Sequence, residues 1–217
     1  MPDKRFARYL EAAFDAAYLL TALALGMILL FTGETPLKRL FGVMALVLFS
    51  GDACHLVPRV LLALTGDEAR LKARLGYGKM AASIGMTFFY VLLWHAGLLA
   101  FHVSGARVVT AFVYLLAAVR ILLCLFPQNR WREGGDGPWG VYRNIPFTLL
   151  GAAAGVLFFL YRRAEPIGLS WMWLAVLLSF AFYLPVVLWA EKRPALGMLM
   201  LPKTCAYVWI IAMGLMV

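Results

Sequence analysis

The chain has 217 residues, of which 64% are hydrophobic and only 14% are charged. Soluble domains carry about 25% charged residues, so this composition excludes an ordinary soluble protein and indicates several membrane spans. The formal charge of +9 is typical of loops that orient a membrane protein and contact anionic headgroups, so we expect membrane lipids as partners and no nucleic acid.

Seven stretches of the sequence reach the length of about 20 mostly apolar residues that a membrane-spanning helix needs. In chain order they cover residues 13–33, 38–64, 79–103, 107–126, 145–162, 169–190 and 195–217. We therefore predict an all-α fold, a seven-transmembrane-helix bundle that forms one integral membrane domain over residues 1–217. The sequence does not indicate an oligomeric state.

Two connections between the predicted spans are longer than the others. Residues 66–78 combine glycines with charged residues, which predicts a short amphipathic or turn-rich loop. Residues 127–144 are typical of an interfacial connector, with Trp131, Trp139 and Tyr142 at the level of the lipid headgroups. A lid or a re-entrant element is the alternative for this second connection.

The lysines and arginines are distributed unevenly around the predicted spans. Twelve of them lie on the side of the amino terminus, five lie on the opposite side, and three lie inside spans. The positive-inside rule therefore predicts a protein of the bacterial inner (plasma) membrane type, with its amino terminus in the cytoplasm and its carboxyl terminus outside.

The most informative segment lies in the second predicted span, where Asp52, His55 and Arg59 interrupt an apolar sequence. An ionisable residue near the bilayer centre costs about 2.5–3.5 kcal/mol on insertion scales, so such residues usually mark a functional site. Because successive residues are about 100° apart around an α-helix, the three side chains fall on one stripe. We predict that this stripe lines a cavity open to the cytoplasm. A closed network of ion pairs that only joins helices is the alternative.

Four further ionisable residues fall in the same half of the membrane by their positions along the predicted spans, with Lys79 at the start of the third span. They are Asp15, Lys79, Arg120 and Lys203. We predict that these four bind the substrate together with Arg59. Guanidinium and ammonium groups bind phosphate and carboxylate well, so the cations would hold an anionic headgroup.

Asp52 and His55 are the predicted catalytic residues, because one of them can activate a water molecule as a general base while the other orients or stabilises it. A metal site would need a third ligand. His95 lies roughly 10 Å from His55 in depth, and His102 lies farther out. Cys54 points about 100° away from His55 around the helix. We therefore predict no metal and no cofactor.

Residues 45–52 read Ala-Leu-Val-Leu-Phe-Ser-Gly-Asp, and this segment resembles a motif of the lysoplasmalogenase-like membrane protein family. Residues 83–90 are loosely similar to the next span of that family. The resemblance implies a multi-helix hydrolase that cleaves the vinyl-ether bond of lysoplasmalogens with membrane aspartates in its active site. It carries over to Asp52 alone, because the family has a second aspartate in a late helix and no aspartate follows Asp136 here.

The sequence thus predicts an integral membrane protein with an intramembrane polar site that faces the cytoplasm. We interpret it as a membrane-embedded hydrolase that acts on a lipid or another amphiphilic small molecule. The alternative is a small-molecule or ion transporter, or a sensor, that uses the same polar residues as a gate or a proton relay. A scaffold whose polar residues are purely structural is the third interpretation.

Overall fold

The structure is a computed structural model that describes residues 4–133, 137–190 and 192–217. Over these ranges the chain forms seven α-helices joined by turns and short 3-10 segments. The helices are α1 (Lys4–Phe31), α2 (Pro36–Thr65), α3 (Glu68–Ala100), α4 (Arg107–Leu125), α5 (Pro138–Leu160), α6 (Met172–Trp189) and α7 (Met200–Ala212). Seven stretches, each overlapping one of these helices, are long and apolar enough to cross a membrane. The predicted all-α class and the number of candidate spans are therefore confirmed.

The loop predicted over residues 66–78 is wrong, because α3 already begins at Glu68. Only Gly66 and Asp67 separate it from α2. Gly66 adopts a left-handed conformation with φ 71°, and the Asp67 side chain accepts a hydrogen bond from the Arg70 backbone N–H. Lys79 consequently lies about three turns inside α3 and not at its start. Gly66 does form the turn, whereas Gly76 and Gly78 lie inside α3 and allow the backbones at Trp131 and Cys54 to approach closely.

The connection predicted over residues 127–144 is also shorter than expected, because α5 begins at Pro138. Before it come the 3-10 turns Pro127–Asn129 and Trp131–Glu133, while residues 134–136 lie outside the described ranges. Trp131 is buried, and its indole N–H donates to the Cys124 carbonyl oxygen over 2.7 Å. The Trp131 side chain thus packs within the bundle, while its predicted level at the lipid headgroups stays a prediction.

The outer spans differ from the prediction at their ends. The first helix begins at Lys4 and not at residue 13, so Asp15 lies about three turns inside it. The last predicted span consists of the 3-10 segment Pro194–Leu199, then α7, then the 3-10 turn Met213–Met216. The final stretch of chain is thus a continuous helix that is α-helical in its middle and 3-10 at both ends.

Close backbone contact between α2 and α3 places the polar stripe. A Cβ atom built on Gly85 would lie 3.1 Å from the Gly51 Cα atom, and one on Gly78 would overlap the Cys54 carbonyl oxygen. Small residues at such crossings let two helices of a membrane bundle approach closely. The residues beside Gly51 and Cys54, including Asp52 and His55, are therefore held next to α3.

Aromatic side chains of α3, α5, α6 and α7 form the centre of the bundle. The Tyr90 ring centroid lies 5.2 Å from that of Phe147 and 5.4 Å from that of Phe180. The Tyr90 hydroxyl shares a 2.9 Å hydrogen bond with the buried Ser179 hydroxyl. Rings in this arrangement contribute about 0.5–1.5 kcal/mol per pair beyond their buried area. They give the site described below a rigid wall.

We expect Gly78→Ala to destabilise the protein by about 1–3 kcal/mol, because the new methyl group would force the α2 backbone away from α3. Thermal unfolding of the purified protein in detergent, followed by circular dichroism, measures the effect. Gly155→Ala is the matched control within α5, since its Cβ atom would meet Val176 at an ordinary 3.4 Å. Equal melting temperatures for the two variants would contradict the close α2–α3 approach.

Candidate functional site

A cavity of about 480 Å³ lies within the bundle, and every α-helix contributes residues to its lining. Its volume is within the range of about 300–1,000 Å³ that is usual for small-molecule sites. All seven residues predicted from the sequence line it, namely Asp15, Asp52, His55, Arg59, Lys79, Arg120 and Lys203. The structure therefore brings the predicted residues together, while their catalytic and binding roles stay predictions.

Asp52 is held by a tyrosine from the neighbouring helix. The buried Tyr18 of α1 donates its O–H to Oδ2 of Asp52 over 2.5 Å. The charge of Lys203 acts on Asp52, but no direct ion pair joins these two described residues. The carboxylate thus accepts a hydrogen bond from a neutral donor, while the charge of Lys203 acts on it without a direct contact.

The His55 ring is oriented by the backbone of α3. Its Nδ1 atom lies 3.3 Å from the Leu75 carbonyl oxygen. A carbonyl oxygen only accepts hydrogen bonds, so this contact favours the tautomer that carries the proton on Nδ1. The Nε2 atom then has a lone pair with which it can accept a proton. This arrangement suits a general base.

The other candidate ligands and nucleophiles lie elsewhere. His95 contacts the Tyr114 hydroxyl of α4 at 2.7 Å through Nε2, so its environment is separate from that of His55. The exposed Ser50 donates its hydroxyl to the Leu46 carbonyl oxygen. Within the described ranges, no group of three His, Cys, Asp or Glu residues is placed to hold a metal ion.

Arg59 already has two acidic partners, and we call Glu11, Asp15 and Arg59 the Arg59 network. Nη2 of Arg59 lies 2.7 Å from Oε2 of Glu11, and Nε lies 3.5 Å from Oδ2 of Asp15. That Asp15 oxygen is buried without a hydrogen-bond partner among the described residues. The positive charge of Arg59 is therefore largely balanced from within the protein.

Three cations of α4, α5 and α7 form a second group, which we call the cation cluster: Arg120, Arg143 and Lys203. The side chain of Arg120 is 1% exposed, and its guanidinium carbon lies 3.3 Å from the centroid of the Phe147 ring. Nζ of Lys203 lies 5.1 Å from the ring centroids of Tyr183 and Tyr207. Neither Arg120 nor Lys203 forms an ion pair with any acid in the described part of the chain.

The segment between α4 and α5 positions Arg143. Nη1 of Arg143 donates to Oδ1 of Asn129 over 2.8 Å, and the guanidinium carbon lies 4.4 Å from the Trp131 ring centroid. The Asn129 amide in turn donates to the Leu123 and Phe126 carbonyl oxygens near the end of α4. The turn thus links the end of α4 to a cation of the cavity.

Several site residues were missed by the sequence analysis. Glu11 could have been found, because it lies one helical turn before Asp15, but the predicted first span began too late. Tyr18, Tyr183 and Tyr207 gave no usable signal, since tyrosines in apolar helices most often serve as packing or interface residues. Only the contacts between helices identify them.

We expect Arg59→Met to destabilise the protein by about 1–3 kcal/mol, because it leaves the buried Asp15 carboxylate without its cation. Glu11→Gln is the matched control. Its pair with Arg59 is more than a third exposed on both sides, so we expect a loss of at most about 1 kcal/mol. Thermal unfolding in detergent compares the two variants, and an equal loss for both would contradict the buried role of Asp15.

Comparison with known proteins leaves this site without a template. No protein-family model, no curated protein and no solved structure matches the chain. The lysoplasmalogenase-like resemblance of residues 45–52 therefore stays a prediction, and the geometry of the cavity is the basis for a functional proposal.

Proposed function

We propose that the protein is a membrane-embedded hydrolase that cleaves a lipid or another amphiphile inside the cavity. The observation that carries this proposal is the composition of the lining, which combines a carboxylate, an imidazole, several cations and apolar side chains. Leu56, Met86 and Val187 belong to the apolar part. An amphiphile has a polar head and an apolar chain, and this cavity offers partners for both.

His55 and Asp52 are the proposed catalytic residues. Nε2 of His55 accepts a proton from a water molecule, and the oxygen of that water attacks the carbon of the scissile C–O bond. The proton then passes from the imidazolium to the departing oxygen atom. Asp52, one helical turn away, stabilises the imidazolium while the charge develops. Tyr18 is a positioning residue that holds the carboxylate of Asp52.

The proposed enzyme is an integral protein of the bacterial inner (plasma) membrane, with its amino terminus in the cytoplasm and its carboxyl terminus outside. The seven apolar helices support insertion, and the excess of Lys and Arg on the amino-terminal side supports the orientation. In this orientation the Arg59 network lies on the cytoplasmic side, and the substrate enters from the cytoplasm or the inner leaflet.

A transporter for a small molecule or an ion is the second candidate. The observation in its favour is the 3-10 segment Pro194–Leu199, which forms the start of the last candidate span and contributes Gly197 and Met198 to the cavity lining. Departures from α-helical geometry beside a binding site are a feature of transporters. In this alternative, the Arg59 network and Asp52 act as gate or proton relay.

We expect the purified protein in lipid nanodiscs to release products from single-chain lipids, including lysoplasmalogens, as measured by mass spectrometry. Asp52→Asn and His55→Gln should each lower the rate by about 10²–10⁴-fold. His55→Gln removes the group that accepts and returns the proton, and Asp52→Asn removes the charge that stabilises the imidazolium. Ser50→Ala is the matched control and should leave the rate unchanged, since the Ser50 hydroxyl is exposed and bonded within its own helix.

Lipid analysis of cells that overproduce the protein or its Asp52→Asn variant extends this test. If no lipid pool changes and no product appears in nanodiscs, the hydrolase proposal is wrong. Uptake of a solute into proteoliposomes that is lost in Asp52→Asn would then identify the transporter.

The orientation predicts the behaviour of terminal reporters. A fluorescent protein fused to the amino terminus should be fluorescent, and alkaline phosphatase fused to the carboxyl terminus should be active, because that enzyme folds only outside the cytoplasm. The reverse pairing of these fusions is the control and should give inactive reporters. An active phosphatase at the amino terminus would invert the proposed orientation.

A further inference from the structure

We infer that the cation cluster of Arg120, Arg143 and Lys203 is a binding site for a phosphate group. The inference rests on the proposed function for the rest of the ligand, and it narrows the substrate to amphiphiles with a phosphate-bearing headgroup. Four observations support it.

The first is the state of Arg120. Its side chain is 1% exposed, yet its Nε and Nη1 atoms have no hydrogen-bond partner among the described residues. Removing a guanidinium from water costs several kcal/mol unless an anion and hydrogen bonds compensate. The contact with the Phe147 ring supplies part of this compensation but uses no N–H group. Acceptor oxygens from a bound ligand would satisfy both nitrogen atoms.

The second is the convergence of like charges. The charges of Arg143 and Lys203 both act on Arg120, although the three residues come from different helices. Such groups repel one another, and the repulsion is stronger inside a protein than in water. A ligand that carries negative charge between them turns this repulsion into attraction.

The third is the shortage of acids nearby. Among the described residues, five cations but only three carboxylates line the cavity. Glu11 and Asp15 are engaged by Arg59, and Asp52 accepts the hydrogen bond from Tyr18. Among the residues that the structure describes, no carboxylate pairs directly with Arg120 or Lys203, so a bound anion would supply negative charge to these two cations.

The fourth is the start of α5. Gly137 and Gly140 at its amino-terminal end line the same cavity, on the helix that carries Arg143. The amino terminus of a long helix has the effect of about half a positive charge and attracts phosphate groups. The helix end thus adds to the field of the cation cluster.

Phosphate fits these observations better than carboxylate. A phosphate monoester carries a charge of about −1.5 to −2 and has three acceptor oxygens, so it can accept hydrogen bonds from several cations at once. A single carboxylate brings one charge and two oxygens. The adjoining lining of Phe147, Val186 and Val187 suits a hydrocarbon chain, and the cavity volume of about 480 Å³ is within the usual range of small-molecule sites.

The binding experiment uses four probes on the wild-type protein in a neutral maltoside detergent, with titration calorimetry as the readout. Hexadecyl phosphate carries the proposed headgroup, hexadecylglycerol lacks the charge, hexadecanoate carries a carboxylate, and inorganic phosphate lacks the chain. We expect hexadecyl phosphate to bind with a Kd about 10–100-fold lower than that of hexadecylglycerol, as loss of charge-assisted hydrogen bonds implies.

Variants then locate the site. Arg120→Gln and Lys203→Gln should each weaken hexadecyl phosphate binding by about 10-fold or more, and Arg120→Lys should recover part of the loss by restoring the charge. Arg107→Gln is the matched control, because Arg107 is exposed and does not line this cavity, and it should leave binding unchanged. If Arg120→Gln does not fold, Lys203→Gln decides the test, because Lys203 is only partly buried and its substitution is easier to accommodate.

The outcomes separate the possibilities. Equal affinities for hexadecyl phosphate and hexadecylglycerol, or unchanged binding in both Gln variants, would overturn the phosphate site. If hexadecanoate binds as tightly as hexadecyl phosphate, the site is a general anion site that accepts carboxylates, and the assignment to phosphate is wrong. Tight binding of inorganic phosphate alone, lost in Arg120→Gln, would keep the phosphate site but assign it to free phosphate. Strong hexadecyl phosphate binding, together with no product from single-chain lipids in nanodiscs and no changed lipid pool, would contradict the proposed enzyme and leave this site standing.

Discussion

The close approach of α2 and α3 determines where the polar side chains of this protein can act. Gly78 and Gly85 bring the two backbones together on one side of α2, and α1 packs along the other. The stripe of Asp52, His55 and Arg59 on α2 therefore faces the space between α1 and α3. His55 takes its partner from α3, while Asp52 and Arg59 take theirs from α1. Without this approach, the same residues would face lipid at a large energetic cost.

The charged side chains of the cavity form two groups on different sides of it, the Arg59 network and the cation cluster. Toward α1, the Arg59 network balances one guanidinium against two carboxylates and closes on itself. Toward α4 and α7, Arg120 and Lys203 of the cation cluster lie against aromatic rings, which lower the cost of burying their charges but do not neutralise them. A ligand with a negative head would complete the second group, and Asp52 and His55 lie in the same cavity beside α1 and α3. The proposed hydrolase and the proposed phosphate site therefore use different parts of one cavity.

Much of this site could be predicted because helical periodicity and depth are readable from one sequence. The spacing of Asp52, His55 and Arg59 fixes one stripe whatever surrounds it, and position along the spans brought Arg120 and Lys203 to the same level. Partners could not be predicted, since they depend on how neighbouring helices rotate. Glycine was the main source of error: Gly76 and Gly78 were interpreted as part of a loop, although they lie inside α3 and allow another backbone to approach, which only the packed bundle reveals.

The turn between α4 and α5 has a consequence of its own. Connections between membrane helices usually tolerate changes in length, because water surrounds them. Here Asn129 and Trp131 contact Arg143 directly, so the length of the turn and the position of a cavity cation are mechanically linked. An inserted residue in this turn would therefore move Arg143 within the cavity. A molecule that bound to this turn at the bilayer surface could therefore shift Arg143 and change the shape of the cavity without entering the hydrocarbon layer.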